Sequence, residues 1–343
     1  MPSEHQALFL DAKFGKFVLG TNTTPTPGPG ELLVKIEGVG LNPVDWSIQK
    51  WGLFLENYPA IIGTDTAGIV EEVGKGVTTF SKGDRVFYQG SWANDKASYQ
   101  QYNVITAATV AKIPNHLSFE AVASIPVCIT AAFLGLYNTK PYGAGYISPV
   151  DNSARGKYAG KPLVVIGGAG SVGQFAIQLG RLSGFSPIIT TASTKNTAYL
   201  KSLGATHVID RKLPLSSLTT EIRNITTAPI EIVYDAVSTA DTQKTAYNLL
   251  APKGQLVVVL NPEVAQVEGK PVIHVFAIPS LPHTREVCVE MYGKLTEWLE
   301  EGAIKPNRVE ILKGGLRGVV GGLARLENGQ VSATKLIARP NEA

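Results

Sequence analysis

Leu163-Val164-Val165-Ile166-Gly167-Gly168-Ala169-Gly170-Ser171-Val172-Gly173 is a short aliphatic run that ends in a glycine turn. The turn opens Gln174-Phe175-Ala176-Ile177-Gln178-Leu179-Gly180-Arg181-Leu182, whose apolar positions recur at helical spacing. Gly168, Gly170 and Gly173 match G-x-G-x-x-G, with a strand before and a helix after, the context a dinucleotide site requires. In such a site the first glycine permits a tight turn, the second lets backbone approach the pyrophosphate, and the third lets helix pack on strand. The free N–H groups at the helix start, together with its positive end, then hold the phosphates. Gly168, Gly170, Ser171 and Val172 are the expected contacts.

The next strand tells which dinucleotide to expect. An NAD site places an Asp or Glu about 20 residues on, against the ribose 2′-hydroxyl. Here Pro187-Ile188-Ile189-Thr190-Thr191-Ala192 runs into Ser193-Thr194-Lys195-Asn196, and no Asp or Glu occurs anywhere from Asn152 to Ile209. A 2′-phosphate needs hydroxyl and cationic donors. Ser193, Lys195 and Asn196, with Arg211 at the end of the following strand, supply them, so NADPH is expected over NADH.

Working outward, 343 residues allow two domains, and 44% hydrophobic with 17% charged content describes a globular chain with an ample core. A net charge of +3 without a basic cluster makes nucleic acid an unexpected partner. The start Met1-Pro2-Ser3-Glu4-His5 lacks a signal-peptide pattern, and no apolar run is expected to reach membrane-spanning length. Two cysteines, Cys128 and Cys288, exclude a disulfide framework. A cytoplasmic protein with no membrane partner is expected.

Residues 5–127 read as β-rich, with strands near 6–10, 17–19, 32–39, 67–73, 84–87, 98–104 and 110–113 separated by Gly/Pro turns, a pattern that fits a partly closed barrel. Helices are expected at 119–124 and 128–137. The stretch 138–161 is long for a connection and reads as a flexible surface loop without chemistry. Strands at 163–166, 187–192, 207–210, 231–235, 255–260 and 272–276 then alternate with helices, which predicts a doubly wound parallel sheet. The tail adds helices at 285–301 and 316–327 and a last strand at 334–338.

Several motifs now converge. Gly40-Leu41-Asn42-Pro43-Val44-Asp45-Trp46, Gly63-Thr64-Asp65-Thr66-Ala67-Gly68-Ile69-Val70, Gly83-Asp84-Arg85-Val86, Thr130-Ala131-Ala132, Lys305-Pro306-Asn307-Arg308 and Gly329-Gln330-Val331-Ser332-Ala333-Thr334-Lys335-Leu336 span the chain. Through them the sequence resembles the medium-chain dehydrogenase/reductases, and most of all their zinc-independent fungal members, the trans-acting enoyl reductases and toxD-like or quinone-oxidoreductase-like proteins. The resemblance extends to the 138–161 loop, which is similar to an insertion in those proteins. It implies an α/β protein: a GroES-like β-barrel domain for catalysis and substrate (1–127 and 278–343), into which a Rossmann NADP-binding domain (128–277) is inserted.

The resemblance also bears on zinc and on roles. Zinc-dependent relatives carry Cys where Asn42 stands, Gly-His-Glu where Gly63-Thr64-Asp65 stands, and a further ligand where Pro126 stands. Without these ligands no catalytic zinc is expected. Asp65 is expected to be buried against Arg85, with no chemistry. Zinc-free relatives mostly transfer hydride to the β-carbon of a C=C bond conjugated to a carbonyl. Pro43 and Ser47 are expected near the nicotinamide ribose, although Ser47 replaces the lysine many relatives have; Thr130 is expected at the carboxamide and Leu260 over the ring. Asn42 and Tyr58 are the candidate catalytic donors, with a buried turn residue and a packing aromatic as their plainer readings. The expected substrate is a small α,β-unsaturated carbonyl compound, handled by a monomer or homodimer. The alternatives are a quinone or carbonyl reductase, or an NADPH-binding enoyl reductase partner of a polyketide synthase that is inactive on free substrates.

Overall fold

The computed structural model describes residues 2–342. They divide into two compact units, one formed by residues up to 127 with 295–300 and 306 onward, the other by residues 128–294 and 301–305.

The first unit is built on β1 (Glu4–Leu10), β2 (Phe17–Thr23), β3 (Glu31–Gly40), α1 (Pro43–Trp51), β4 (Ala60–Ile61), β5 (Asp65–Val73), β6 (Arg85–Gln89), β7 (Tyr102–Thr106), β8 (Val110–Lys112) and α2 (Phe119–Val122). β1 pairs with β2 and β4, with Leu8 and Leu10 buried on one face and Ala7 on the other. β3 is the spine of the main sheet, hydrogen-bonded to β5 and β7, and is almost continuously buried from Leu32 to Gly40. The sequence pattern missed α1, although its boundaries carry helix signals. Asn42 precedes it, Pro43 fills the first position where no N–H is needed, and Gly52 ends it in the left-handed conformation at φ +62°.

The second unit carries α3 (Pro126–Tyr137), β9 (Leu163–Ile166), α4 (Ser171–Leu182), β10 (Ile188–Ala192), α5 (Thr197–Leu203), β11 (His207–Asp210), α6 (Leu215–Ile225), β12 (Ile232–Asp235), α7 (Ala240–Leu249), β13 (Gln255–Val258) and β14 (Val272–His274). Its six strands are all parallel, in the order β11-β10-β9-β12-β13-β14. Counted along the chain this is 3-2-1-4-5-6, the doubly wound order whose direction reverses between β9 and β12. The central strand β9 reads as an unbroken, fully buried apolar run because both its faces are covered. Val164, Val233, Leu256, Leu218 and Ala246 share one core beneath α6 and α7.

The chain then forms α8 (Arg285–Glu300), β15 (Val309–Ile311), α9 (Gly315–Glu327) and β16 (Lys335–Ala338). β16 inserts between β15 and β3, giving the main sheet of the first unit the order β15-β16-β3-β5-β6-β8. Leu316, Val319 and Leu323 of α9 join Leu41 and Ile48 at α1 in that unit's core.

Two expectations need correction. The 138–161 stretch, expected as a flexible surface loop, is tied to its surroundings. The amides of Ala144 and Tyr146 bond the carbonyls of Gly135 and Leu136, and Tyr146, Tyr158 and Phe185 form a ring cluster with centroids 4.8–5.1 Å apart. Residues 119–137 do reach the length and hydropathy of a membrane span, at a mean hydropathy of 1.8. However, 78% of that window is buried, because this is core sequence with a break before Pro126.

Candidate active site

The glycine turn after β9 is shaped by contact distances. Gly167, not Gly168, makes the left-handed turn, at φ +80°. Gly168 is required for space: a Cβ there would stand 2.0 Å from Thr190 Oγ1. A Cβ on Gly173 would lie 2.4 Å from the Gly167 carbonyl oxygen, so this glycine lets α4 start directly against the turn. At Gly170 a Cβ would meet only that same oxygen, at 3.3 Å. Ser171 and Val172 begin α4, which has no side-chain cap and no acidic residue in its first turn. An uncapped helix N-terminus at the point where strand order reverses fits a dinucleotide pyrophosphate. Exposed apolar side chains stand at the carboxyl ends of the neighbouring strands, with Val237 40% and Leu260 54% exposed, as a flat ring would need. Thr130 is fully buried on α3.

Sheet register brings the proposed phosphate donors together. Ala192 pairs with Asp210, and the Arg211 amide donates to the Ala192 carbonyl at 2.9 Å, so Ser193 and Arg211 leave the sheet side by side. Lys195 is exposed one turn on, and the Asn196 Nδ2 is buried without a hydrogen-bond partner. Asp210 Oδ1 accepts the Lys212 amide.

The first unit contains a buried polar cluster that was only half visible in the sequence. Asp65 is fully buried at the start of β5, and its partner is not Arg85. Arg85 donates to the Leu117 carbonyl at 2.6 Å and lies over the Phe119 ring. Instead, Lys335 at the start of β16 reaches Asp65 Oδ2 at 2.7 Å and Asn42 Oδ1 at 2.6 Å, and is itself only 4% exposed. Asn42 Nδ2 donates to Asp65 Oδ2 at 2.9 Å, and the Val127 amide donates to Asp65 Oδ1 at 2.7 Å. The Asn42 carboxamide is therefore engaged at both ends, with 2% of the residue exposed. Ser47 is likewise committed, its hydroxyl donating to the Pro43 carbonyl one turn back. Pro43 itself is exposed at the first helical position.

Gly40 makes this cluster possible. A Cβ there would be 3.0 Å from both Lys335 Cε and Asp65 Cβ, and 2.5 Å from the Ala123 carbonyl oxygen. Gly40→Ala is therefore expected to destabilise the fold by about 1–3 kcal/mol, read as a lower midpoint in urea unfolding.

Asp45 lies beside the cluster. Its Oδ2 accepts the Asn42 amide at 2.8 Å and the Tyr99 hydroxyl at 2.6 Å, while the buried Oδ1 has no partner. Burial pushes this carboxyl up to about 7, against the two hydrogen bonds that favour its charged form. The folded protein thus holds a proton that the unfolded chain releases near 3.8. Through this group stability should be greatest below about pH 3.8 and should fall by about 2 kcal/mol between pH 5 and pH 7. Asp45→Asn keeps an acceptor for both donors and removes the charge. Urea unfolding across this pH range should show the wild-type slope flattened in the variant.

A metal does not fit these residues. The positions that the resemblance marks as ligand sites do converge, through Asn42, Asp65 and the 126–127 peptide. However, their side chains offer one carboxylate, one amide and one proline, and a lysine ammonium already touches the first two. No group of three or more His, Cys, Asp or Glu residues able to hold a metal occurs among the described residues.

Tyr58 lines a cavity of about 890 Å³ together with Lys13, Phe54, Glu56, Trp92 and Asn94. The Tyr58 hydroxyl and the Trp92 Nε1 are buried in its wall without hydrogen-bond partners, and the Phe54 ring stacks on Trp92 at 4.9 Å.

Comparison with known proteins agrees with this geometry. Residues 28–115 match the family described as alcohol dehydrogenase GroES-like domain, and residues 171–289 the one described as zinc-binding dehydrogenase. A trans-enoyl reductase of Gibberella fujikuroi is 32% identical over 97% of this chain and 98% of its own, and another of Aspergillus flavipes is 32% identical over 98% and 99%. Among solved structures, the quinone oxidoreductase of Coxiella burnetii superposes with a TM-score of 0.74 at 25% identity, covering 97% of this chain and 98% of that one. A mycobacterial protein complexed with NADPH gives 0.76 at 26% identity, covering 98% and 100%. This chain is an oxidoreductase that belongs to the medium-chain dehydrogenase/reductase family, of the enoyl reductase type.

Proposed function

We propose that the protein is an NADPH-dependent reductase that works without zinc on a small α,β-unsaturated carbonyl compound. The observation that carries the zinc-free part is the Lys335–Asp65 ion pair where ligands would have to stand. A bound nicotinamide would supply hydride to the β-carbon. Residues 128–277 would carry the dinucleotide: Gly168, Gly170, Ser171 and Val172 at the pyrophosphate, Ser193, Lys195, Asn196 and Arg211 at the 2′-phosphate, and Thr130 and Leu260 at the nicotinamide. Residues 1–127 and 278–343 would serve the substrate. Of the two candidate donors, Tyr58 is the one whose polar atom is uncommitted: its hydroxyl is buried without a partner in a residue that lines the cavity, and it would have to turn into the cavity to hold the carbonyl oxygen as negative charge develops on it. Asn42, bonded at both ends, would act by fixing the start of α1, beside which Pro43 and Ser47 would meet the ribose. The relatives named trans-enoyl reductase support reduction of a conjugated double bond. We assign the activity to the cytoplasm and to a monomer or homodimer; the two cysteines, both buried and in no disulfide, suit a reducing compartment.

The relative named quinone oxidoreductase favours one other acceptor, a quinone. The test is NADPH oxidation against 2-enones, 2-enals, quinones and saturated ketones, repeated with NADH and with a chelator. Turnover of enones and enals with NADPH, unaffected by chelator, is the expected result. Faster turnover of quinones would transfer the assignment to them. Chelator-sensitive reduction of saturated ketones would overturn the zinc-free reading. Tight NADPH binding without turnover of any free substrate would leave a partner role beside a polyketide synthase as the better reading.

A further inference from the structure

We propose that the side-chain ammonium of Lys335 is the resident cation of the Asn42–Asp65 site, seated in a pocket that selects charge rather than chain. The proposal rests on the zinc-free reading above and goes beyond it: the site has not simply lost a cation but has exchanged one kind for another. Three acceptors and donors are arranged around the charge. Asp65 Oδ2 and Asn42 Oδ1 approach Nζ at 2.7 and 2.6 Å, and Asn42 Nδ2 donates back to the same carboxylate oxygen at 2.9 Å. The other carboxylate oxygen is taken by the Val127 amide at 2.7 Å. Both Asp65 oxygens are thus bonded, and the carboxylate faces the ammonium in a fixed orientation.

An isolated lysine or carboxylate buried this deeply is costly, and such groups persist only when paired and hydrogen-bonded. The lysine stem also crosses the bare backbone of Gly40, which lacks the Cβ that would block it. The final strand therefore delivers a charge to two residues at the other end of the sequence and ties the start of α1 to β5. In this role Lys335 is a structural residue, holding α1 through Asn42 and, by the Asn42 amide, through Asp45.

The test is chemical rescue. Lys335→Ala removes the three methylenes and the ammonium beyond Cβ, the shape of n-propylammonium. Thermal unfolding of this variant is measured with added n-propylammonium and with propan-1-ol, its neutral counterpart. We expect a saturable rise in Tm with the amine alone, about 4 °C at one hundred times its dissociation constant for a chain of this size. The wild type should not respond. If Lys335→Ala does not fold, the same pair of additives is compared by the yield of soluble folded protein on refolding. Equal effects of amine and alcohol, or no effect of either, overturn the proposal. Lys335→Met keeps the chain and removes the charge: it should unfold well below the wild type although the stem's volume is filled, and wild-type stability in it would also overturn the proposal. Zinc content of the purified wild-type protein separates the two claims. Stoichiometric zinc defeats the zinc-free reading, whereas absent zinc with failed rescue defeats only the role of Lys335.

Discussion

Lys335→Met is expected to lower the unfolding free energy by about 3–5 kcal/mol, the usual cost of leaving one member of a buried ion pair alone. The methionine fills most of the stem's volume, so a cavity contributes little. What remains is a fully buried Asp65 carboxylate with the Val127 amide and Asn42 Nδ2 as its only described donors. Adding Asp65→Asn should return most of the loss. The new carboxamide oxygen can accept the Val127 amide, its nitrogen can turn to Asn42, and the Asn42 carboxamide can flip to present its oxygen. The contacts of residue 65 with Val127 and Asn42 are then kept without a buried charge, while the Asn42 Nδ2 turned toward the methionine loses its bond to residue 65 and keeps the recovery short of complete. Urea unfolding of the two single variants and the double variant closes the cycle. A double variant no more stable than Lys335→Met would show that the ammonium acts on something other than Asp65.

The same cluster shows where sequence reading reaches its limit. The nucleotide turn was legible because its signals are local: an aliphatic strand, glycines at fixed offsets and an amphipathic helix within twenty residues. The parallel sheet followed from repeated alternation of the same kind. Even so, the glycines' roles were shifted by one position: Gly167 takes the left-handed conformation, and Gly168 is needed for space against Thr190 in the next strand, a contact that the local sequence does not show. α1 was missed although Asn42-Pro43 and Gly52 mark its ends, because a nine-residue helix in a strand-rich region offers too few turns for its period to stand out. The partner of Asp65 was out of reach for a different reason. Arg85 was the nearer cation in a matched motif, whereas Lys335 lies 293 positions from Asn42 and meets it only through the pairing of β16 with β3. A signal did exist in Ala333-Thr334-Lys335-Leu336-Ile337-Ala338, where a lysine sits in an otherwise apolar terminal strand. A charge in such a position asks for a buried partner, but the sequence does not say which one.

A second variant tests the cofactor assignment. Ser193→Asp combined with Arg211→Ala is expected to turn the preference from NADPH to NADH, with a swing of about a thousandfold in the ratio of kcat/KM values. The two residues are neighbours by register, since the Arg211 amide is bonded to the carbonyl of Ala192, the residue before Ser193. A 2′-phosphate between them would take charge-assisted hydrogen bonds from both, each contributing about 1.5–3 kcal/mol. Losing two such bonds costs roughly 4 kcal/mol, which converts to about three powers of ten at 1.4 kcal/mol each. The new carboxylate repels a phosphate and can accept the ribose hydroxyls of NADH, so the change acts on both sides of the ratio. Lys195 stays in both proteins and keeps part of the attraction for any phosphate, so the thousandfold figure counts only the two exchanged groups. NADPH and NADH titrations of the wild type and the variant, followed by intrinsic fluorescence, separate binding from turnover. If the variant still prefers NADPH to the same degree, the 2′-phosphate is not held at the ends of β10 and β11. The missing carboxylate after β10 would then have to be explained by a ribose that sits elsewhere.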